Sequence, residues 1–351
     1  MDEIESVTKV EQWALERGLF PGHRFFKTSG SSGLEKWVAL SNEALEWSAR
    51  TVNRALGIGS ADVLGLALPE IHVGGYGLVV RARVAGACLA RFERRWQAAE
   101  FADWCRKEGV TVTSLVPTQV HDLVEAGECG SPSLRVVVVG GGALNDELKQ
   151  GARELGWPVE PSYGMTETAS QVATGDGLPL LPGWEARVVE GRLALRGGGL
   201  LSAVIRRGGE GFVAEDPKEE GWFLTNDRAE LRGRSLTILG RADRLVKVLG
   251  ELVDLEAVEN QWREDLGEEA VVVAQPDARR GKSLHLFHEG KPRDLDRRNR
   301  ERSGPERLSS WQAMAKLPRS PLGKLDRGAL QKDLSKIHQD KDCNHSGIQG
   351  I

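Results

Sequence analysis

Short apolar segments alternate with amphipathic ones between residues 60 and 175 of this 351-residue chain. The apolar segments predict strands at 63–68, 110–116 and 134–139, and a strand that begins at Val159 and ends before Tyr163. The amphipathic segments predict helices at 77–87, 98–107, 118–126 and 145–156. Such an alternation favours a mostly parallel sheet covered by helices, because parallel strands need a crossover connection. We therefore predict an α/β fold for the larger, N-terminal portion of the chain.

The pattern changes near residue 184, where strands become short and are separated by glycines. We predict an antiparallel β subdomain with strands at 186–189, 192–195, 204–206, 223–225 and 236–239. A smaller α+β region follows Gly240 and begins its sheet at 270–274. The charged segment 291–307 is more typical of a solvated helix or loop than of a nucleic-acid surface. The predicted boundaries are an N-terminal domain at 1–240 (an α/β region at 1–180 and a β subdomain at 181–240), a mobile C-terminal domain at 241–337 and a tail at 338–351.

Composition restricts the function classes. The formal net charge is −4, so no overall basic field favours nucleic acid as a partner. No apolar run reaches the ~20 residues of a membrane span, and the acidic N-terminus lacks a signal-peptide pattern. The cysteines show no metal-ligand spacing and are expected to be reduced thiols, which favours a cytoplasmic location. They are Cys88, Cys105, Cys129 and Cys343.

A phosphate-binding loop is indicated at 28–36, where small hydroxyl residues and glycines end in a lysine. Backbone N–H groups and hydroxyls of such a loop can approach a phosphate closely, although a plain turn or linker has a similar composition. The loop is not a Walker A motif, since Lys36 is followed by a predicted strand rather than a helix. Its candidate ligands are Thr28, Ser29, Gly30, Ser31, Ser32, Gly33 and Lys36.

Four further segments carry polar groups next to glycines or strand ends. They are Tyr163–Thr168 and Thr225–Asp227, both predicted to follow strands, then Gly240–Asp243 with Lys247 to Glu251, and Pro321–Asp326. A hydroxyl beside a carboxylate can serve a phosphate and Mg²⁺, and a carboxylate can accept from both hydroxyls of a ribose. Each segment alone is also typical of an ordinary turn, but five such segments in this order are not expected by chance.

Together these motifs resemble the adenylate-forming superfamily, which includes acyl-CoA synthetases, peptide-synthetase adenylation domains and luciferase. The resemblance covers residues 25 to 330. Further segments are similar to the o-succinylbenzoate–CoA ligases of menaquinone synthesis: Leu68–Pro69 with His72, Val73 and Gly75, Leu115–Gln119, Gly140–Ala143, Tyr163–Gln171, Glu220–Thr225 and Leu236–Arg241. The resemblance implies that a carboxylic acid is activated by ATP with Mg²⁺ and then passed to CoA.

The resemblance also implies roles for individual residues. The loop residues and Lys36 would hold the β- and γ-phosphates, Thr166 the α-phosphate, Glu167 the Mg²⁺, and Lys324 the α-phosphate and the substrate carboxylate. His72 would be a gate at the acyl site, although a lone histidine is often structural. Asp243 would be a hinge. The remaining binding residues would be Gly141, Gly142, Ser162, Tyr163 and Gly164 for adenine and acyl group, Asp227 and Arg241 for ribose, and Lys247 and Gly250 for pantetheine.

This chain departs from the family pattern at several positions. Glu35 stands where the family usually has proline, Trp37 where it often has glycine, and Asn226 where it has glycine. Ala257 replaces one glutamate of a Glu-x-Glu pair whose second member, Glu259, is kept. Only 27 residues precede the phosphate loop, so we expect a shortened N-terminal lobe. The missing part of the lobe would expose apolar surface, which a homodimer or a reshaped fold would cover.

Three functions remain open at this level. The first is a ligase that joins an aromatic dicarboxylic acid, o-succinylbenzoate, to CoA. The second is adenylation of another aryl or acyl carboxylate, with transfer to CoA or to a carrier-protein thiol. The third is a shortened, non-catalytic family member that binds nucleotide. Retention of Lys36, Glu167, Asp227, Arg241 and Lys324 favours catalysis, because loss of function removes such residues first.

Overall fold

The computed structural model describes residues 3–29, 35–209, 211–319 and 325–334. The chain divides into two compact units, Met1–Thr225 with Ala229–Leu239 and Asn226–Arg228 with Gly240–Ile351. The fold is mixed α/β, as predicted, with sheets of parallel and of antiparallel strands. No helix among the described residues is long and apolar enough to cross a membrane.

The first unit contains six helices among its described residues. They are α1 (Glu3–Glu16), α2 (Asn42–Leu56), α3 (Val73–Ala85), α4 (Ala98–Glu108), α5 (Pro117–Glu125) and α6 (Asp146–Glu154). The first eight strands are β1 (His23–Ser29), β2 (Glu35–Ser41), β3 (Val63–Leu66), β4 (Cys88–Arg91), β5 (Val112–Leu115), β6 (Val136–Val139), β7 (Val159–Met165) and β8 (Ser170–Thr174).

Strands β3 to β8 form a six-stranded sheet in the order β4-β3-β5-β6-β7-β8. The pairs from β4 through β7 are parallel, and β8 runs antiparallel to β7. Separate apolar clusters pack around Phe101 and Trp157 and around Leu64 and Leu78. Burial of this kind explains why the strands are continuous apolar runs. It confirms the predicted helix-covered parallel sheet and places the carboxyl ends of β3, β5, β6 and β7 along one edge.

The remaining strands of this region are antiparallel where their pairing is defined. They are β9 (Glu185–Val189), β10 (Arg192–Arg196), β11 (Ala203–Gly208), β12 (Gly211–Glu215), β13 (Lys218–Glu219), β14 (Trp222–Arg232) and β15 (Ser235–Arg241). One sheet has the order β13-β14-β10-β9, with β15 beside β14, and another has the order β1-β2-β11-β12. The strands between 184 and 240 therefore serve two sheets, and β11 pairs with β2, a strand about 165 residues earlier — a pairing that local periodicity cannot reveal.

Among its described residues, the second unit contains a hairpin, a three-stranded sheet and three α-helical segments, the last of which spans 327–334. Its elements are β16 (Leu245–Val248), β17 (Glu251–Asp254), α7 (Leu255–Leu266), β18 (Ala270–Asp277), β19 (Gly281–Glu289), α8 (Asp296–Glu301) and β20 (Leu308–Met314). Strand β18 is antiparallel to β19, and β20 is parallel to it. Trp262 of α7 is fully buried against this sheet in a cluster with Leu284 and Leu286.

Three predicted boundaries are wrong in an informative way. Helix α3 begins at Val73 rather than at residue 77, although Gly74 and Gly75 are poor helix formers. Gly75 is required there because a Cβ atom would lie 2.3 Å from the Pro69 carbonyl oxygen. Strand β7 extends into the motif predicted to follow it and ends at Met165, and the Thr225–Asp227 motif lies inside β14 rather than at a strand end. Tertiary pairing extends both strands beyond their apolar runs.

Candidate active site

Lys36 and Glu167, 131 residues apart in sequence, meet in the first unit. The Lys36 Nζ atom donates to Glu167 Oε1 at 2.6 Å. Their side chains are 24% and 13% exposed, so the pair is sheltered but open to a ligand. The structure thus brings the lysine of the predicted phosphate loop to the carboxylate of the predicted Mg²⁺ motif.

The backbone around Glu167 is fixed by several hydrogen bonds. Residues Thr166–Thr168 form a single 3₁₀ turn, and the buried Thr168 Oγ1 accepts from Met165 N at 3.1 Å. Leu201 N donates to the Glu167 carbonyl at 2.9 Å, and Ser48 Oγ donates to the Ala169 carbonyl at 3.0 Å. The turn is therefore rigid, and Glu167 is held in place toward Lys36.

Close packing accounts for the glycine just before this turn. A Cβ atom at Gly164 would lie 1.8 Å from the Ser170 carbonyl oxygen, which no side chain could tolerate. Ala169 and Ser170 adopt positive φ values of 51° and 108°. Non-glycine residues in this region are strained, and such strain is concentrated at functional sites. Thr166, at the start of the turn, is half-buried.

The predicted phosphate loop connects two paired strands, as expected. In the β1–β2 ladder Thr28 lies opposite Lys36, and Ser29 lies opposite Glu35. Thr28 Oγ1 donates to the Lys36 carbonyl at 3.5 Å. The predicted loop residues Gly30, Ser31, Ser32 and Gly33 lie outside the described residues.

Three glycines, Gly140 to Gly142, follow β6 at the carboxyl edge of the sheet and lie beside β7. Gly141 has a φ of 81°, and a Cβ atom at Gly140 would lie 3.1 Å from Ser162 Oγ. A Cβ atom at Gly142 would lie 3.4 Å from Pro117. Since β6 and β7 are adjacent and parallel, the predicted residues Gly141, Gly142, Ser162 and Tyr163 share the carboxyl edge of the sheet. Ligands of open α/β sheets bind at this edge.

His72 lies at the same edge, between β3 and α3. It occupies the N-cap position of α3 without a side-chain capping bond. The backbone N–H of His72 donates to the Pro69 carbonyl at 3.2 Å, and the backbone carbonyl of His72 accepts from Tyr76 N at 2.9 Å. The side chain is half-buried, which is compatible with either the gate or the structural role considered for it.

Arg81, which sequence reasoning missed, is a fully buried cation close to the Glu167 turn. Its Nη2 donates to Ser170 Oγ at 2.9 Å, and the hydrogen-bond network assigns the Gln171 amide oxygen to the side of Arg81, where it accepts from both Nη atoms at 3.2 Å. Among the described residues no carboxylate forms an ion pair with it. Burial lowers the pKa of Arg81 to about 10, so it stays charged at neutral pH. The available signal was a pair of arginines, Arg81 and Arg83, in the largely apolar helix α3.

The second unit brings together three predicted residues. Arg241 donates to Asp227 Oδ1 at 3.3 Å and to both oxygens of Asp243 at 2.8 and 2.7 Å. Asp227 is 8% exposed. The two residues predicted to hold a ribose are therefore neighbours, and the predicted hinge residue Asp243 holds the guanidinium from its other side.

The hairpin β16–β17 carries two more predicted residues. Lys247 is exposed on β16, and Gly250 has a φ of 86° in the turn that connects the strands. Leu249 shares the left-handed conformation with a φ of 53°, so both central residues fit a type I′ turn. The predicted catalytic lysine, Lys324, lies outside the described residues.

The chain is similar in sequence to proteins of one named activity. It is 36% identical over 238 residues to the 2-succinylbenzoate–CoA ligase of Escherichia coli K12, covering 66% of this chain and 50% of that protein. It is 32% identical over 243 residues to the probable 2-succinylbenzoate–CoA ligase of Mycobacterium tuberculosis H37Rv, covering 66% of this chain and 61% of that protein. The chain spans about half the length of the curated relatives it matches.

Solved structures give the same picture. An E. coli MenE variant with bound OSB-AMS matches with a TM-score of 0.72 and 29% identity over 88% of this chain and 68% of that one. The Bacillus subtilis o-succinylbenzoate CoA synthetase with its acyl-adenylate OSB-AMP matches with a TM-score of 0.75 and 26% identity over 87% and 68%. The family model described as AMP-binding enzyme matches residues 26–194. Residues 26–194 of this chain therefore form a domain of the AMP-binding enzyme family.

Proposed function

We propose that this chain is an ATP-dependent acid–CoA ligase that converts o-succinylbenzoate to its CoA thioester through an acyl-adenylate. The Lys36–Glu167 pair carries the proposal, because it joins a phosphate-binding lysine to a carboxylate suited to Mg²⁺. The similarity to ligases of this name supports the choice of acid. Menaquinone synthesis is the corresponding setting.

The groups present fit ATP and Mg²⁺. Mg²⁺ usually binds one or two carboxylates and completes its shell with phosphate oxygens and water, which Glu167 beside Thr166 would allow. The glycine edge at 140–142 leaves room that side chains would fill. When bound, Mg²⁺ would neutralise phosphate charge. Lys36 and the loop hydroxyls would hold the β- and γ-phosphates, while Asp227 and Arg241 would hold the ribose.

Arg81 supports a substrate with two carboxylates. One carboxylate reacts with the α-phosphate and displaces pyrophosphate, so the other must be recognised separately. Arg81 is a buried, protonated guanidinium without a carboxylate partner among the described residues. It would therefore bind the second carboxylate of the substrate favourably. Ser170 and Gln171 keep its planar fork oriented. We propose that Arg81 selects for the dicarboxylic acid from within α3.

The second half-reaction would use CoA. Its thiolate would attack the acyl carbon of the adenylate, and AMP would leave with the bonding electron pair. Lys247 and Gly250 are proposed to lie along the pantetheine, with Asp243 as the hinge that allows the C-terminal domain to exchange Lys324 for this hairpin. A homodimer and a cytoplasmic location are compatible with this function.

Pyrophosphate exchange into ATP, measured with a panel of carboxylic acids, tests the proposal. We expect exchange with o-succinylbenzoate and little with benzoate, because only the first offers a second carboxylate. Arg81→Met should lower kcat/KM for the dicarboxylate about ten- to hundredfold, the value of one buried charged hydrogen bond, and change that for benzoate far less.

A general loss of fold in Arg81→Met would lower kcat/KM for o-succinylbenzoate and for benzoate alike. The ratio of these two constants therefore distinguishes lost recognition of the second carboxylate from misfolding. Exchange with a different acid would favour the second function, adenylation for CoA or a carrier thiol. Nucleotide binding without exchange for any acid would favour the non-catalytic alternative. Arg24→Met is a matched control, because it also removes an arginine that packs against α3. The Arg24 guanidinium lies over the ring of Tyr76 in α3, 4.6 Å from the ring centroid, but Arg24 itself belongs to β1.

A further inference from the structure

Glu35 lies between two cations at the end of the β1–β2 ladder. Lys27 Nζ donates to Glu35 Oε1 at 2.8 Å, and Arg207 Nε donates to Glu35 Oε2 at 2.8 Å. The side-chain hydrogen bond from Lys27, reinforced by Arg207, holds the pKa of Glu35 below its usual value, although burial opposes the shift. One carboxylate thus connects strands β1, β2 and β11.

This network lies on the side of the sheet opposite Lys36. Side chains alternate along a strand, so Glu35 shares its side with Trp37, which is fully buried against Phe212. The Arg207 guanidinium lies 5.8 Å from the centroid of the same Phe212 ring. Lys36, between Glu35 and Trp37, points to the other side and reaches Glu167. Glu35 is therefore not placed to touch a nucleotide held by Lys36.

The ion pairs of Glu35 with Lys27 and Arg207 lie at the end of the paired strands β1, β2 and β11, where the described backbone pairing between them stops. Lys36 is opposite Arg206 in the last described pair of β2 with β11, and Ser29 with Glu35 is the last pair of β1 with β2. If Glu35 were neutral, Lys27 and Arg207 would lose their common partner and repel each other. The strand end would then open, and the Lys36 ammonium would lose its fixed position.

We propose that Glu35 is a positioning residue that holds Lys36 ready for the nucleotide by binding Lys27 and Arg207 on the opposite side of the sheet. The inference rests on the proposed function for the identity of the ligand. Preorganised cations bind phosphate without an ordering cost. Each partly exposed ion pair is worth ~0.2–1 kcal/mol, so loss of both corresponds to an about two- to thirtyfold weaker affinity.

The test combines calorimetric binding of a non-hydrolysable ATP analogue with hydrogen exchange of peptide 35–41. We expect Glu35→Gln to raise the Kd of the analogue and the KM for ATP about two- to thirtyfold, with kcat and the melting temperature nearly unchanged. Exchange near residue 36 should accelerate. In a Lys27→Gln/Arg207→Gln background, Glu35→Gln should have no further effect, because its partners are gone.

Glu185→Gln is the matched control, since Glu185 also bridges strands through an arginine, Arg196, at 2.6 Å. Binding and exchange in Glu35→Gln equal to those of this control would overturn the inference. So would tighter ATP binding, which would mean that the Glu35 charge only repels phosphate. A chain that binds the analogue but activates no acid would refute the ligase proposal and leave the Glu35 comparison valid.

Discussion

At the scale of single residues, Asp62 shows how a half-buried carboxylate stabilises the first unit. Arg135 donates to both its carboxylate oxygens at 2.9 and 2.8 Å, Thr111 Oγ1 donates at 2.7 Å, and Gly59 N donates at 2.9 Å. These bonds, that from Arg135 above all, hold the pKa of Asp62 far below its usual value. The site lies just before β3 and joins its start to the starts of β5 and β6, which follow Thr111 and Arg135.

Asp62→Asn should destabilise the chain by ~1–3 kcal/mol at neutral pH, allowing for the partial exposure of Arg135. Because the folded pKa is depressed, the contribution is complete above the unfolded pKa of about 3.9 and is lost as pH falls toward the folded value. Urea unfolding at about pH 7 and pH 3.5 measures the difference between wild type and variant, which should shrink in acid.

Asp103→Asn is the control, since Asp103 also pairs with an arginine, Arg106, but is 62% exposed. It should change stability by less than ~0.5 kcal/mol at either pH. A constant difference for Asp62→Asn at both pH values would contradict the ionic explanation.

At the scale of elements, helix α7 is attached to its surroundings through one buried carboxylate. Glu259 is fully buried and accepts from Arg327 at 2.6 Å, from Val272 N at 3.0 Å and from Arg263 at 3.4 Å, with a further bond from Arg244. Arg244 comes directly after Asp243, the proposed hinge residue. Arg327 comes three residues after Lys324, the proposed catalytic lysine. Glu259 therefore ties three segments of the second unit to α7.

Glu259→Gln should destabilise the second unit by ~3–5 kcal/mol, because three guanidinium groups would lose their common anion in a buried site. Hydrogen exchange by mass spectrometry should show faster exchange in 255–277 and little change in 35–56. Glu264→Gln, an exposed position of the same helix, is the control. Equal acceleration in both variants, or none, would refute the role of Glu259.

At the scale of the whole molecule, the described residues place the proposed functional groups in two units. Lys36, Glu167 and Arg81 belong to the first, and Asp227, Arg241 and Asp243 belong to the second. A ligase with two half-reactions can use such a division, since a different set of groups serves each step. That the C-terminal domain begins at residue 241 and moves relative to the N-terminal domain remains a prediction.

Lys324→Ala should reduce pyrophosphate exchange at least ~100-fold, because a cation is removed where negative charge develops on the α-phosphate. Thioester formation from synthetic acyl-adenylate and CoA should change less than about threefold, since that step does not pass through this charge. The two half-reactions are measured separately. Equal loss in both would refute the division of labour, and Lys291→Ala, an exposed lysine of the same unit, should affect neither.

The sequence alone determined the helix-covered parallel sheet, because strand burial in β3 to β6 leaves continuous apolar runs. It also identified Lys36 and Glu167 as candidate site residues, because each lies in a short local motif. Only the tertiary structure decided that β11 pairs with β2, that Arg81 stays buried beside Ser170, and that Glu35 binds Arg207. The physical reason is separation along the chain: a motif is written in neighbouring residues, whereas these contacts join residues whose proximity depends on the complete fold.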